Sequence, residues 1–235
     1  MTLSLEIEIY LSKKNYTAQD AINNILFFSE SIKEINNSER WFLTGKTKED
    51  ALKHKIIDNG LINSVVADLL IKKLNKTPPI FVTSIWNGSS DNIRIQNYLC
   101  KSLDNFRLTF SLKVKNVIGL AERLKNALLG ILSNKDNVAV IFVQTNHYQM
   151  EEKNVFPERI PVGWMLYLNK EVTKEQVPMA AQLINIENEK NTGTLMISTN
   201  EVFDGTDELH IKKANEIEIQ LAAYGLLPTY QDIYS

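Results

Sequence analysis

Val155-Phe156-Pro157-Glu158-Arg159-Ile160-Pro161-Val162-Gly163-Trp164-Met165-Leu166-Tyr167-Leu168 opens with two prolines and closes in an aliphatic and aromatic run. Proline fixes φ and lacks an amide proton, so the first half cannot continue a helix. The second half has the composition of a strand entering a sheet interior. Upstream, Val138-Ala139-Val140-Ile141-Phe142-Val143 shows no polar alternation. That pattern predicts a central strand buried on both faces. Between the two lies a loop, Gln149 to Asn154, containing Glu151 and Glu152.

Working outward, Leu3, Leu5, Ile7 and Ile9 alternate with polar or amphipathic residues, as do Phe106, Leu108, Phe110 and Leu112. A period of two marks strands with one buried and one wet face, which favours antiparallel neighbours. Ile80 to Trp86, the turn Asn87-Gly88-Ser89-Ser90, and a return strand through Ile93, Ile95 and Leu99 complete an expected meander. Leu183 to Ile186 and Thr194 to Thr199 read as a further strand pair.

Helical spacing appears between these runs. Thr17 is placed to cap a helix with Ala21, Ile25, Phe28, Ile32 and Ile35 on one stripe. Thr47 caps a second, expected to run until Asp58-Asn59-Gly60 breaks it. Leu61 to Leu74 follows, with Ile62, Val65, Val66, Leu69 and Leu70 as its expected core stripe. Asn116 is placed to cap a helix carrying Val117, Leu120, Leu124, Leu128 and Ile131. The last helix starts near Asp204 or Thr206 and carries His210, Ala214, Ile217 and Leu221. The resulting fold class is α+β, a mostly antiparallel sheet with helices packed on one face. A single domain over residues 1–235 is the economical organisation, with a split near Lys115 as the alternative.

Composition bounds the function. With 44% hydrophobic residues the chain can bury a core. Cys100 is the only cysteine, which suits a reducing compartment, and the first residues lack the basic and apolar regions of a signal peptide. A cytoplasmic, non-membrane protein is expected. From Leu61 to Asp136 eleven Lys/Arg stand against five Asp/Glu, whereas from Asn137 to Ser235 seven stand against fourteen. The middle is therefore basic and the last part acidic, either as a patchwork of solvated charge or as an acidic face.

Catalytic grammar is sparse. His54, His147 and His210 lie on separate elements, and there is no H-E-x-x-H, no G-x-S-x-G and no glycine-rich phosphate cradle. Cys100 reads as a small buried thiol. Asp204, Asp207, Glu208 and His210 form the most metal-like cluster, and Asp204, Asp207 and His210 would be the centre of a small metal-dependent hydrolase. Helix capping explains the same residues. A nucleic-acid-binding module using the basic middle is a third reading, although that region lacks clustered aromatics. No enzyme, metal or cofactor is expected.

Three stretches together resemble one family. They are Trp41 to Gly45 followed by Thr47 to Ala51, then Val155 to Arg159 with Val162 to Leu168, then Gly193-Thr194 through Ser198-Thr199 with Val202-Phe203 and His210 to Asn215. In order and spacing they resemble the immunity protein 52 family of bacterial polymorphic toxin systems. One departure is Asn169, where the family pattern has a proline after the strand. The resemblance implies an α+β protein that binds and neutralises a cognate polymorphic or type VI secretion toxin in the cytosol. It implies a nuclease of the restriction-endonuclease-like class as the toxin, and it carries over no catalytic residue. On this reading Glu151, Glu152, Glu158 and Arg159 face the toxin, flanked by an aromatic anchor, Trp41 or Trp86. Core packing is the competing role for Trp41, Trp86 and Trp164.

Overall fold

The computed structural model describes residues 2–12, 16–76, 80–97 and 105–234. Cys100, Leu99 and the prolines of Thr77-Pro78-Pro79 lie outside the described residues. In chain order the elements are β1 (Leu3–Ser12), α1 (Ala18–Ser31), α2 (Lys33–Asn36), β2 (Arg40–Leu43), α3 (Lys48–Leu52) and β3 (Lys55–Asp58). Next come β4 (Leu61–Ile62), α4 (Ser64–Leu74), β5 (Val82–Trp86), β6 (Asn92–Asn97), β7 (Asn105–Val114) and α5 (Leu120–Asn134). The chain finishes with β8 (Val138–Thr145), β9 (Met165–Leu168), β10 (Gln182–Glu187), β11 (Thr192–Ile197), α6 (Glu208–Ala223) and α7 (Tyr230–Tyr234).

The described strands form one 11-stranded sheet in the order β10-β11-β9-β8-β1-β7-β6-β5-β2-β3-β4. All the strand pairs are antiparallel, so the fold is α+β. The expected meander is β5-β6-β7, and β8 lies inside the sheet with nearly every residue buried. The register explains the alternation: Ile7 faces Phe110 and Val143, and Ile9 faces Leu108 and Ile141. These side chains share one face. Phe28 of α1 meets Phe110 there, ring centroids 5.7 Å apart and edge to face. The helix α1 packs on α2, α4 and α5, so these four form a layer over that face.

The opposite face of β1, β7, β6 and β5 carries the other half of each alternation. Arg94 and Val82 are exposed there, and Ser84, Trp86, Gln96, Arg107, Thr109 and Ser111 are half-buried. Each sheet end is a free edge: β4 has two residues, whereas β10 has six and pairs with β11 without a register break.

Three helix expectations and one strand expectation change. The helix after Thr47 stops at Leu52, because Lys55-Ile56-Ile57-Asp58 pairs with β2, where β-branched residues fit a pleated sheet. Leu61 and Ile62 form β4, and α4 turns Val66, Ala67, Leu70 and Leu74 inward, leaving Val65 69% and Leu69 48% exposed. Asn116 does not cap α5; its Oδ1 accepts from Ile118 N–H, and Gly119 stands at the cap with φ +64°. In the opening stretch only Met165–Leu168 pairs as a strand. Gly163 precedes it with φ +53°, and a Cβ there would lie 2.5 Å from Val143 O. Only glycine permits that approach of backbone to β8, which Trp164 N–H completes by donating to Val143 O at 2.9 Å.

Candidate functional site

The connection from β8 to β9 holds the candidate site, and its course begins with an unusual turn. Asn146 and His147 are consecutive residues with φ of +47° and +63°, and Glu152 follows at +55°. Left-handed backbone in non-glycine residues persists only where the surroundings enforce it. Asn146 supplies part of that: its N–H donates to Ser4 O at 2.8 Å and its Nδ2 to Asp204 Oδ1 at 2.9 Å. Gln144 supplies more, accepting from Gln149 N–H at 2.7 Å while donating to Glu6 Oε2 at 2.8 Å. Burial, then the neighbouring Glu8, raises the Glu6 carboxyl above its ordinary value.

Glu218 is the centre of the connection. It sits on the inward stripe of α6 and is completely buried. Its Oε2 accepts from Val155 N–H at 2.8 Å and its Oε1 from Val162 N–H at 3.0 Å. Tyr148 Oη lies 3.2 Å from Oε1 and 2.7 Å from Asn215 Oδ1. Asn215 Nδ2 in turn donates to Lys153 O at 3.0 Å. One carboxyl group thus binds both ends of the proline-rich segment, where no ladder satisfies the backbone. Burial raises its pKa, against the lowering effect of the amide donors. The Tyr148 hydroxyl donates toward both Asn215 Oδ1 and Glu218 Oε1, closer to the former. Sequence pattern contained the signal for Glu218, which stands four residues after Ala214 and three before Leu221 on the apolar stripe.

With its backbone fixed this way, the connection presents charge outward. Glu151, Glu152 and Glu158 are exposed, and Met150 beside them is 73% exposed. Lys153 Nζ stands 4.0 Å from Glu151. Arg159 is more engaged: its guanidinium donates to Leu227 O, lies 3.7 Å from Glu158 and covers the Phe156 ring at 6.0 Å. Its backbone pairs with Thr229. Arg159 therefore fastens the connection to the segment between α6 and α7.

The two candidate aromatics separate. Trp41 is 1% exposed within the core, with its Nε1 unpaired, so it has no surface to offer a partner. Trp164 is also buried and donates to Thr199 O. Trp86 is half-buried on the open sheet face, packed on Phe42 with centroids 6.3 Å apart and under Lys48 at 5.9 Å. It does not touch the β8–β9 connection. Four strand steps, roughly 19 Å at about 4.8 Å each, separate β5 from β8. A single lateral row nevertheless links them: Gln144, buried against Gln149, then Glu6, Ser111, Asn92 and Trp86 are successive cross-strand partners.

The proposed metal cluster has other uses. Asp207 caps α6 by accepting from Leu209 and His210 N–H at 2.8 and 3.1 Å. Asp204 accepts from Thr206 N–H, Thr206 Oγ1 and Asn146. His210 Nδ1 accepts from Asp204 N–H at 3.0 Å, and its ring stacks on Phe203. Among the described residues no group of three or more His, Cys, Asp or Glu side chains is arranged to hold a metal ion. Among the same residues no helix is long and apolar enough to cross a membrane.

Comparison with known proteins gives the fold a relative. The structure of the Pseudomonas aeruginosa T6SS protein PA0821 is similar to this chain with a TM-score of 0.57 and 9% identity, covering 94% of this chain and 76% of that one. At that identity the likeness is one of fold. No curated protein matches the sequence. The family model for Immunity protein 52 matches residues 11–230, nearly the whole length, and the chain belongs to the Immunity protein 52 family.

Proposed function

We propose that this protein neutralises a cognate toxin in the cytoplasm by binding it, and that it converts no substrate of its own. Family membership over residues 11–230 is the observation that carries this reading. The toxin is a polymorphic or type VI secretion effector with a nuclease domain. The docking surface is the β8–β9 connection, with Met150 as an apolar anchor among Glu151, Glu152 and Glu158, continued along the open sheet face to Trp86. A standard interface covers about 800 Å² per partner, roughly 30 Å across, which accommodates the connection and Trp86, about 19 Å apart across the sheet. The Glu218 clamp supports the reading, since a fixed loop loses little conformational entropy on binding. Exposed carboxylates suit the cationic groove with which a nuclease holds phosphates.

Co-expression with a toxin taken from the adjacent gene tests the proposal. The wild-type chain is expected to restore growth and to co-purify with the toxin. Glu151→Lys with Glu152→Lys should weaken binding at least tenfold, about 1.4 kcal/mol. Wild-type cells that die from the toxin would end the immunity reading. A double variant that protects as well as wild type would remove only the loop. DNA cleavage by the isolated toxin, blocked on adding this protein, tests the nuclease assignment.

A further inference from the structure

A second surface lies at the other end of the sheet. On α4, Val65 and Leu69 stand one turn apart and are 69% and 48% exposed, and Leu61, in the short strand leading into the helix, is 73% exposed. Burying such side chains would be favourable by roughly 1.5–3 kcal/mol each when complete, and contiguous exposed apolar residues mark interaction sites. The same face of α4 continues into Lys72 and Lys73, with Lys76 just beyond the helix end. Among the described residues Lys72 and Lys73 form no ion pair. Beside Leu69 and Lys73 opens a cavity of about 170 Å³, also lined by Leu43, Asp50 and His54.

We propose that this ridge docks an amphipathic acidic helix of a second protein. Spacing favours a helix, because residues one turn apart form the ridge that another helix's groove receives. Strand addition is disfavoured, since β4 offers only two residues of edge. Charge selects against a second copy of this chain. Three lysines against the carboxylates of Asp68 on the helix and Asp50 in the cavity leave the face at a net +1, so pairing two copies through it would oppose like charges. An acidic partner brings carboxylates to the unpaired ammonium groups and leucine-like side chains to Leu61, Val65 and Leu69. The inference stands apart from the toxin reading: α4 packs with α1 in the helix layer, whereas Trp86, the end of the toxin surface three strand steps from β4, lies on the opposite, open face of the sheet.

The test titrates the full-length 15N-labelled chain with a synthetic peptide of roughly three heptads, leucine at a and d and glutamate at e and g. Amide shifts are expected from Leu61 to Lys73. Val65→Asp with Leu69→Asp should abolish them, and Lys72→Glu with Lys73→Glu should weaken binding at least tenfold. Both pairs are exposed, so an unchanged melting temperature is expected. The proposal is overturned if the glutamate peptide does not bind, or if a lysine version binds the wild-type chain as well. It is equally overturned if wild type sediments as a dimer that the Val65/Leu69 variant dissociates, or if duplex DNA shifts the same amides.

Discussion

The β1–β7 pair and the β8–β9 connection are held by opposite means. Ten consecutive register pairs join Leu3–Ser12 to Asn105–Val114, and every second side chain on each strand is buried. Stabilisation there is spread over many small, interchangeable contributions. The connection from Asn146 to Val162 contains no paired strand, and a handful of polar anchors hold it: the buried Glu218 carboxyl at both ends of the proline-rich segment, Asn146 on Ser4 and Asp204, and Arg159 on Leu227. Distributed apolar packing tolerates single losses, whereas a polar hub fails when its acceptor is removed.

The sharpest way to break this contrast is Glu218→Ala. It strands the amides of Val155 and Val162 and should cost about 3 kcal/mol. Hydrogen exchange should rise from Tyr148 to Val162 while β1 and β7 stay protected; uniform loss across the sheet would refute the division. Next in size is Gly163→Ala, expected to cost about 2 kcal/mol because a Cβ would overlap Val143 O at positive φ, read as a lowered urea midpoint. Asp207→Ala removes the α6 cap and should cost about 1 kcal/mol, with fraying confined to the first turn by hydrogen exchange.

The smallest effect is a slope with pH. Burial raises Glu218, so the folded state holds its proton more tightly than the unfolded chain. Its contribution is complete below the unfolded carboxyl value, about 4.3, and is lost as pH rises through the raised folded value. Glu6, raised by burial and by Glu8, acts in the same sense. Urea midpoints taken from about pH 5 to 8 should fall less steeply in Glu218→Gln than in wild type; parallel slopes would assign the dependence elsewhere.

Sequence legibility follows the same divide. The strands β1, β7 and β8 were readable because burial imposes a period of two, or none, on their side chains. The helix α4 was readable as a helix but not in its orientation: Val65 and Leu69 satisfy the spacing of a core stripe, and only packing on β3 and α1 decides that Val66 and Leu70 turn inward. Exposure of Glu151, Glu152 and Glu158 matched their position between strands. Trp41 and Trp86 could not be ranked, since nothing local says which side of β2 or β5 meets the helices. Glu218 stood in an apolar stripe, and a charged residue at such a position is itself a sign of a buried acceptor with partners to find.

The free edge of β10 has a practical consequence for handling the protein. Gln182–Glu187 carries neither proline nor lysine nor a bulge, the usual protections against strand addition. The sequence pI is about 6.0, so mutual repulsion vanishes in mildly acidic buffer. Concentrated samples should then pair β10 to β10 as closed dimers, visible as light scattering that grows as the buffer approaches that pH. A lysine at the exposed Asn185 should keep such solutions clear.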